Sequence, residues 1–204
     1  VNAAHYTHKA PINLITIEEN ALEHKASTTT KIKSYYHFVK AANHYLISQG
    51  LQNELFINTL MSGFDNYKQN ILAEDYAALL AKAGVTATEL EAFANGYNDA
   101  MNAVLIFSEK QVSGATAIEL ANLSAITGKT GKTAMGLVAL KECCNSQGII
   151  DNGIRVNSGP GLQELTDRNF VEKLEKAWGV SGIPAPAGCT KTRLEDGVIS
   201  NLFV

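Results

Sequence analysis

The run Ala103-Val-Leu-Ile-Phe107 is the feature that most narrows what this chain can fold into. Five consecutive apolar residues with no polar alternation describe a strand buried on both faces, and such strands belong to parallel sheets flanked by helices. The flanking segments have helical period, so no tight hairpin joins this strand to a neighbour. A second strand is read at Ile12-Asn-Leu-Ile-Thr-Ile17, alternating and β-branched, followed at once by Glu18, Glu19 and Asn20. A third is read at Val198 to Val204. Between them, Tyr35, Phe38, Val39, Ala42, Tyr45 and Leu46 share one helical face that stops at Gly50, and the polar stretch from Ser27 to Thr30 is read as its lead-in. Short helices are predicted over 53–61, 65–72 and 75–82, and Thr86 to Glu89 reads as a capping box. The helix over 115–127 is apolar on most sides and is read as buried. In the last helix Phe170, Val171, Leu174, Ala177 and Trp178 share a face, and Gly179 ends it. The pattern predicts an α/β fold: a helix-rich layer sandwich around a short, mostly parallel sheet, as one domain over 1–204 with a glycine-rich loop system at 128–161.

Composition supports a soluble globular chain, with 46% hydrophobic and 18% charged residues over 204 positions. Seventeen basic against twenty acidic side chains give a net charge of −3, which argues against a broad nucleic-acid footprint. Only Arg155, Arg168 and Arg193 are arginines, so bidentate clamping of phosphate by guanidinium is scarce. The cysteines, adjacent Cys143 and Cys144 and distant Cys189, make neither a disulfide framework nor a metal knuckle. No apolar run reaches the roughly 18–20 residues of a membrane span. No direct membrane insertion and a cytoplasmic location are therefore expected. The chain starts at Val1 and stops on an apolar run at Val204, so it is expected to be an excised piece of a longer parent.

Several motifs fail on inspection. Gly128-Lys-Thr-Gly-Lys-Thr133 lacks the first glycine of a phosphate loop and follows a helix where a strand is required, so it reads as a structural turn. Gly159-Pro-Gly161 has Glu164 where a dinucleotide fingerprint needs its third glycine. His5 and His8 have no second pair of ligands, and His37 and His44 read as the polar edge of a packed helix. Cys143 and Cys144 read as two buried thiols in a loop, because a bond between adjacent cysteines is strained. No metal ligands are assigned. Glu18 and Glu19 are different, since ligands of parallel sheets bind beyond strand C-termini. Strand-end carboxylates suit ribose hydroxyls or guanine N–H groups, and equally suit a solvated helix start.

One resemblance rises above this background. Leu120-Ala-Asn-Leu-Ser-Ala-Ile-Thr-Gly128, continuing through Gly131, Lys132, Gly136 and Leu140 to Asn145-Ser-Gln-Gly148, resembles molybdopterin-dependent oxidoreductases. Formate dehydrogenase catalytic subunits and the related large subunit of NADH–quinone oxidoreductase share this pattern. Glu172 to Val180, with Pro184 and Gly188 to Thr190, is similar to a second stretch of that family. Asp196 to Val204 and Ile15 to Asn20 are similar to two more. The resemblance implies one α/β domain of a multidomain enzyme whose molybdenum or tungsten is held by two pterin guanine dinucleotides. Glu18 and its neighbour Glu19 would then face guanosine, and Ser108, Glu109 and Lys110 would approach the dinucleotide. Asn145, Gln147 and Gly148 would lie beside the pterin. Lys141 stands where formate dehydrogenases carry an arginine near metal and substrate, which makes it the electrostatic catalytic candidate. One ammonium is a point charge, not a fork. The implied partners are the rest of the parent polypeptide, with its iron–sulfur and other pterin-binding domains, and electron-transfer subunits. The isolated chain is not expected to be catalytic. A second implication is a scaffold domain of a respiratory NADH dehydrogenase large-subunit homologue that has lost the pterin. Lys33 to His37, in place of a family loop, and Ser108 to Lys110, which lacks the usual glycine, favour it.

Overall fold

In the computed structural model, which describes residues 10–152 and 157–184, strand β1 spans Asn13–Thr16 and pairs in parallel with β2, Thr28–Lys31. The Ser27–Thr30 stretch is therefore a strand and not a lead-in to a helix. Three consecutive β-branched threonines favour extended backbone, and Thr28 Oγ1 donates to Asn13 Oδ1 across the ladder at 2.6 Å. Ser34 then caps α1, Tyr35–Ser48, by accepting the His37 N–H.

Helices α2 (Glu54–Leu60), α3 (Phe64–Leu72), α4 (Tyr76–Ala83) and α5 (Ala87–Asp99) follow, most of them started by the expected caps. Asn53 and Asp75 accept from the first turns of α2 and α4, and Thr86 with Glu89 closes the full capping box on α5. α1 is the hub. Its Phe38, Val39, Ala42 and Leu46 are buried as the spacing predicts, and it packs against α3, α4, α5 and the later α6.

The apolar run forms β3, Val104–Ser108, followed by α6, Gly114–Ile126. The strand is not buried on both faces as the run suggests: Leu105 and Phe107 pack against the core, while Val104 and Ile106, on the other face, are exposed. β3 pairs in parallel with β4, Gly136–Leu140, in the register Val104↔Gly136 to Ser108↔Leu140. The parallel pairing and the helix-rich α/β class are as the sequence implies. Among the described residues the strands make two separate two-stranded ladders. α6 is not buried on all sides: Leu120, Leu123 and Ile126 enter the core while Ile118 is 64% exposed, because only one face meets α1 and α2.

Contacts gather the chain into two compact units, residues 1–140 and 141–204. The second holds α7 (Ser146–Asp151), a short 3-10 turn at Pro160–Leu162 and α8 (Arg168–Trp178). The glycine-rich segment read as a loop system thus carries a strand, a helix and a turn. Asp167 caps α8 and Gly179 ends it with φ +66°. In this unit Leu174 is buried and Trp178 exposed. The strand expected over 198–204, along with His5, His8, Arg155, Cys189 and Arg193, lies outside the described residues. No helix among the described residues is long and apolar enough to cross a membrane.

Candidate functional site

The clearest functional geometry is at the C-terminal end of the β3–β4 ladder. Ser108 pairs with Leu140, and the Glu109 N–H donates to the Leu140 carbonyl at 3.1 Å, extending the ladder by one residue. The chain then turns tightly. The Lys110 N–H donates to Ser108 Oγ at 3.3 Å, and the Gln111 and Val112 N–H groups donate to the Ser108 carbonyl at 3.1 and 3.2 Å. The backbone donors from 109 to 112 are thus all engaged, Glu109 by β4 and the other three by Ser108, so none of these four N–H groups is left to a ligand. Ser113 next caps α6 by accepting the Thr116 N–H at 3.2 Å. The other first-turn N–H groups of a helix point outward along its axis, toward anions.

Glu18 and Glu19 follow β1, at the end of the other ladder. Thr16, itself buried, donates from Oγ1 to the Glu18 carbonyl at 2.5 Å and holds this turn, while both carboxylates are exposed. Glu23 accepts the Asn20 N–H at 3.0 Å and lies 3.9 Å from Lys31. The hydrogen bonds that shape this loop come from its neighbours, so the two carboxylates do not build it.

The remaining candidates belong to the second unit and sit within one turn-and-helix segment. Lys141 is half-buried. Asn145 is the N-cap of α7 but makes no capping hydrogen bond with its side chain. Gln147 donates one amide hydrogen to Asp151 Oδ1 at 2.7 Å, and the Gly148 carbonyl accepts from Asn152 Nδ2 at 2.7 Å. Cys143 and Cys144 are exposed, not buried as the sequence reading had them. Their neighbours Glu142, Asn145 and Ser146 are polar, so the loop has no apolar cover to give them.

The failed motifs have structural explanations. Gly128–Thr133 follows α6, and Gly128 turns the chain at φ +67° with its Cα facing the Asn53 amide. Lys129 folds back, donating from Nζ to the Ala100 carbonyl at 2.5 Å, with the ammonium 5.8 Å from the Tyr97 ring centroid. Burial holds its pKa below the ordinary lysine value. A shallow polar cleft of about 400 Å³ opens beside it, lined by Asn53, Asp99, Lys132 and Met135 among others. His37 pairs with Ser34 through Nδ1 at 2.8 Å, and His44 stacks on Tyr76, as befits a packed helix edge.

The sequence reading missed a buried network. Asn43 on α1 donates from Nδ2 to Glu119 Oε2 at 2.9 Å and to the Glu119 carbonyl at 3.0 Å. The Tyr67 hydroxyl donates to the same Oε2 at 2.6 Å. The signal was available: Glu119 is a lone charge between Ile118 and Leu120 on an apolar helix.

No family model matches the chain. Individual relatives do. It is 28% identical over 154 residues to formate dehydrogenase H of Escherichia coli K12, a match covering 74% of this chain and 22% of that protein. It is 24% identical over 202 residues to the assimilatory nitrate reductase catalytic subunit of Bacillus subtilis 168, covering 90% of this chain and 28% of the relative. The chain is thus similar to formate dehydrogenases and a nitrate reductase over 74–90% of its length. The F420-dependent formate dehydrogenase 2 subunit alpha of Methanococcus maripaludis adds a third such match, 24% identical over 156 residues and 74% of this chain. The chain spans less than a third of the length of each, the last by 23%. The likeness to these oxidoreductases therefore covers most of this chain and only part of each relative.

Proposed function

We propose that this chain is a pterin-dinucleotide-binding portion of a molybdenum- or tungsten-dependent oxidoreductase of the formate dehydrogenase kind. The observation that carries the reading is the match of 74–90% of the chain to formate dehydrogenases and a nitrate reductase. Such a metal–pterin group, when bound, supplies the two-electron chemistry, and the protein supplies binding, orientation and electrostatics.

The residues present fit that group. The strand–turn–helix order of β3, residues 109–113 and α6 suits a dinucleotide phosphate facing the first turn of α6. Because the N–H groups of 109–112 are engaged within the chain, Ser108, Glu109 and Lys110 would act through their side chains. The exposed carboxylates of Glu18 and Glu19 would accept N–H groups of a guanine. Asn145, whose side chain is not used in capping, Gln147 and Gly148 would line the pterin side. Lys141 would place one positive charge near an anionic substrate or a pterin oxygen, without the two-point grip of a guanidinium. The activity would then belong to the intact parent, working with its iron–sulfur and other pterin-binding domains and with electron-transfer subunits in the cytoplasm.

Elemental analysis of the purified intact parent tests the reading. Stoichiometric molybdenum or tungsten, with a guanine nucleotide released on acid hydrolysis, is the expected result. Absence of both metals refutes it and favours a respiratory NADH dehydrogenase-type scaffold that has lost the pterin, a reading to which the engaged backbone donors at 109–112 lend support.

A further inference from the structure

We propose that Cys143 and Cys144 form a vicinal dithiol site that chelates a soft, thiophilic ion, with trivalent arsenic as the test case. The inference does not depend on the pterin reading, because it rests on the thiols alone. Both are free and both are exposed. They occupy a turn, not a helix: the Ser146 N–H donates to the Cys143 carbonyl at 3.1 Å, and α7 begins only at Ser146. Nothing in this turn requires sulfur for packing, since burial is absent.

Adjacency decides what two such thiols can do. Neighbouring Cα atoms are about 3.8 Å apart across a trans peptide, whereas disulfides span roughly 4.4–6.8 Å between Cα atoms. A direct S–S bond across this dipeptide is therefore strained and readily reduced. A single arsenic atom held between the two sulfurs lengthens the bridge by one atom and relieves that constraint. Once one sulfur is bound, the second reacts within the same molecule, at an effective concentration of about millimolar or more. With phenylarsine oxide the step balances without redox change. Two S–H bonds are lost, two As–S bonds form, arsenic stays trivalent, and its oxygen leaves as water with the two protons.

The experiment uses the reduced 204-residue chain with one equivalent of phenylarsine oxide, followed by excess glutathione, intact-mass measurement and a thiol count. Glutathione strips arsenic from single thiols but competes poorly with a chelating pair. The expected result is one phenylarsenic group retained per chain with two thiols consumed. C143S and C144S should each lose the group, with retention falling at least about 100-fold, while C189S keeps it. Both changed positions are exposed, and circular dichroism verifies that the variants keep the wild-type helix content. Loss of the adduct from the wild type on glutathione treatment overturns the proposal. So does retention in either C143S or C144S, and so does its loss in C189S, which would make Cys189 one of the chelating pair.

Discussion

Replacing Tyr67 by Phe should destabilise the first unit by about 1.5–3 kcal/mol, the usual worth of a hydrogen bond to a charged group. The geometry sets that expectation. Tyr67 donates to Glu119 Oε2 at 2.6 Å, in the short range of charge-assisted bonds, and Glu119 is buried at 8% exposure against a fully buried Asn43. Removing the hydroxyl leaves the carboxylate with Asn43 as its main donor and no cation within the network. With a urea m-value of about 2 kcal/mol/M, the midpoint should fall by about 1 M. Far-UV circular dichroism is the right probe, because it follows the helices of the first unit, whereas Trp178, the single tryptophan, sits on α8 in the second. The same asymmetry predicts the rescue. Glu119→Met removes the stranded acceptor, so Tyr67→Phe added to it should cost far less, giving a coupling of about 1–2 kcal/mol. A Tyr67→Phe midpoint equal to wild type, or a coupling below about 0.5 kcal/mol, would refute the claim that Tyr67 and Glu119 form an energetically connected unit.

Acidification should weaken the fold through two histidines on α1. Burial, the largest cause for each, holds His37 and His44 below the ordinary 6.5, with Lys82 and Lys40 also lowering His37, and Glu74 opposing both shifts. Below 6.5 the unfolded chain takes protons that the folded chain refuses, so stability falls as pH drops through that value. A His37→Gln, His44→Gln double variant should flatten the urea midpoint between about pH 7 and 5, and an unchanged slope would count against the assignment. Ala134 has φ +62°, a left-handed conformation that costs a non-glycine residue about 1–2 kcal/mol. Ala134→Gly should therefore stabilise the fold by up to about 1 kcal/mol after the entropy gained by the unfolded chain is deducted, read as a higher urea midpoint. Gly136 opens β4 at φ +122°, and no atom lies within 4 Å of the position an added methyl would take, so Gly136→Ala carries a purely backbone penalty. Its signature is faster hydrogen exchange at the Glu109 N–H, which closes the ladder onto Leu140; equal exchange rates in variant and wild type would contradict the stated register.

What could be read from the residues, and what could not, follows one physical rule. Elements that bury an apolar face announce themselves. Phe38, Val39, Ala42 and Leu46 on α1 and the all-apolar β3 are visible at once, and the caps Asn53, Asp75 and Thr86 mark helix starts because their oxygens satisfy first-turn N–H groups. β2 escapes because its hydroxyl-rich Thr28–Lys31 carries no hydrophobic period, and its extension depends on its partner β1. β4 escapes because Leu137 to Leu140 is a short apolar run inside a glycine-rich segment, and its partner lies 32 positions earlier.

The candidate site inherits that division. Glu18 and Glu19 are legible as strand-end carboxylates because charge follows directly on an apolar alternation. Ser108 to Lys110 are legible because polar residues follow directly on a continuous apolar run. Their setting is not. That the tip of β3 meets Leu140, the residue before Lys141, depends wholly on the existence and register of β4. In a parallel pair a slip of one residue would turn every β4 side chain to the opposite face. It would also move the Leu140 carbonyl away from the Glu109 N–H. The register, and not any single residue, is what sets the backbone course of the loop that carries Ser108, Glu109 and Lys110. A motif search weighs residues one at a time, so it can find each of these side chains and still miss the ladder that sets where their backbones run.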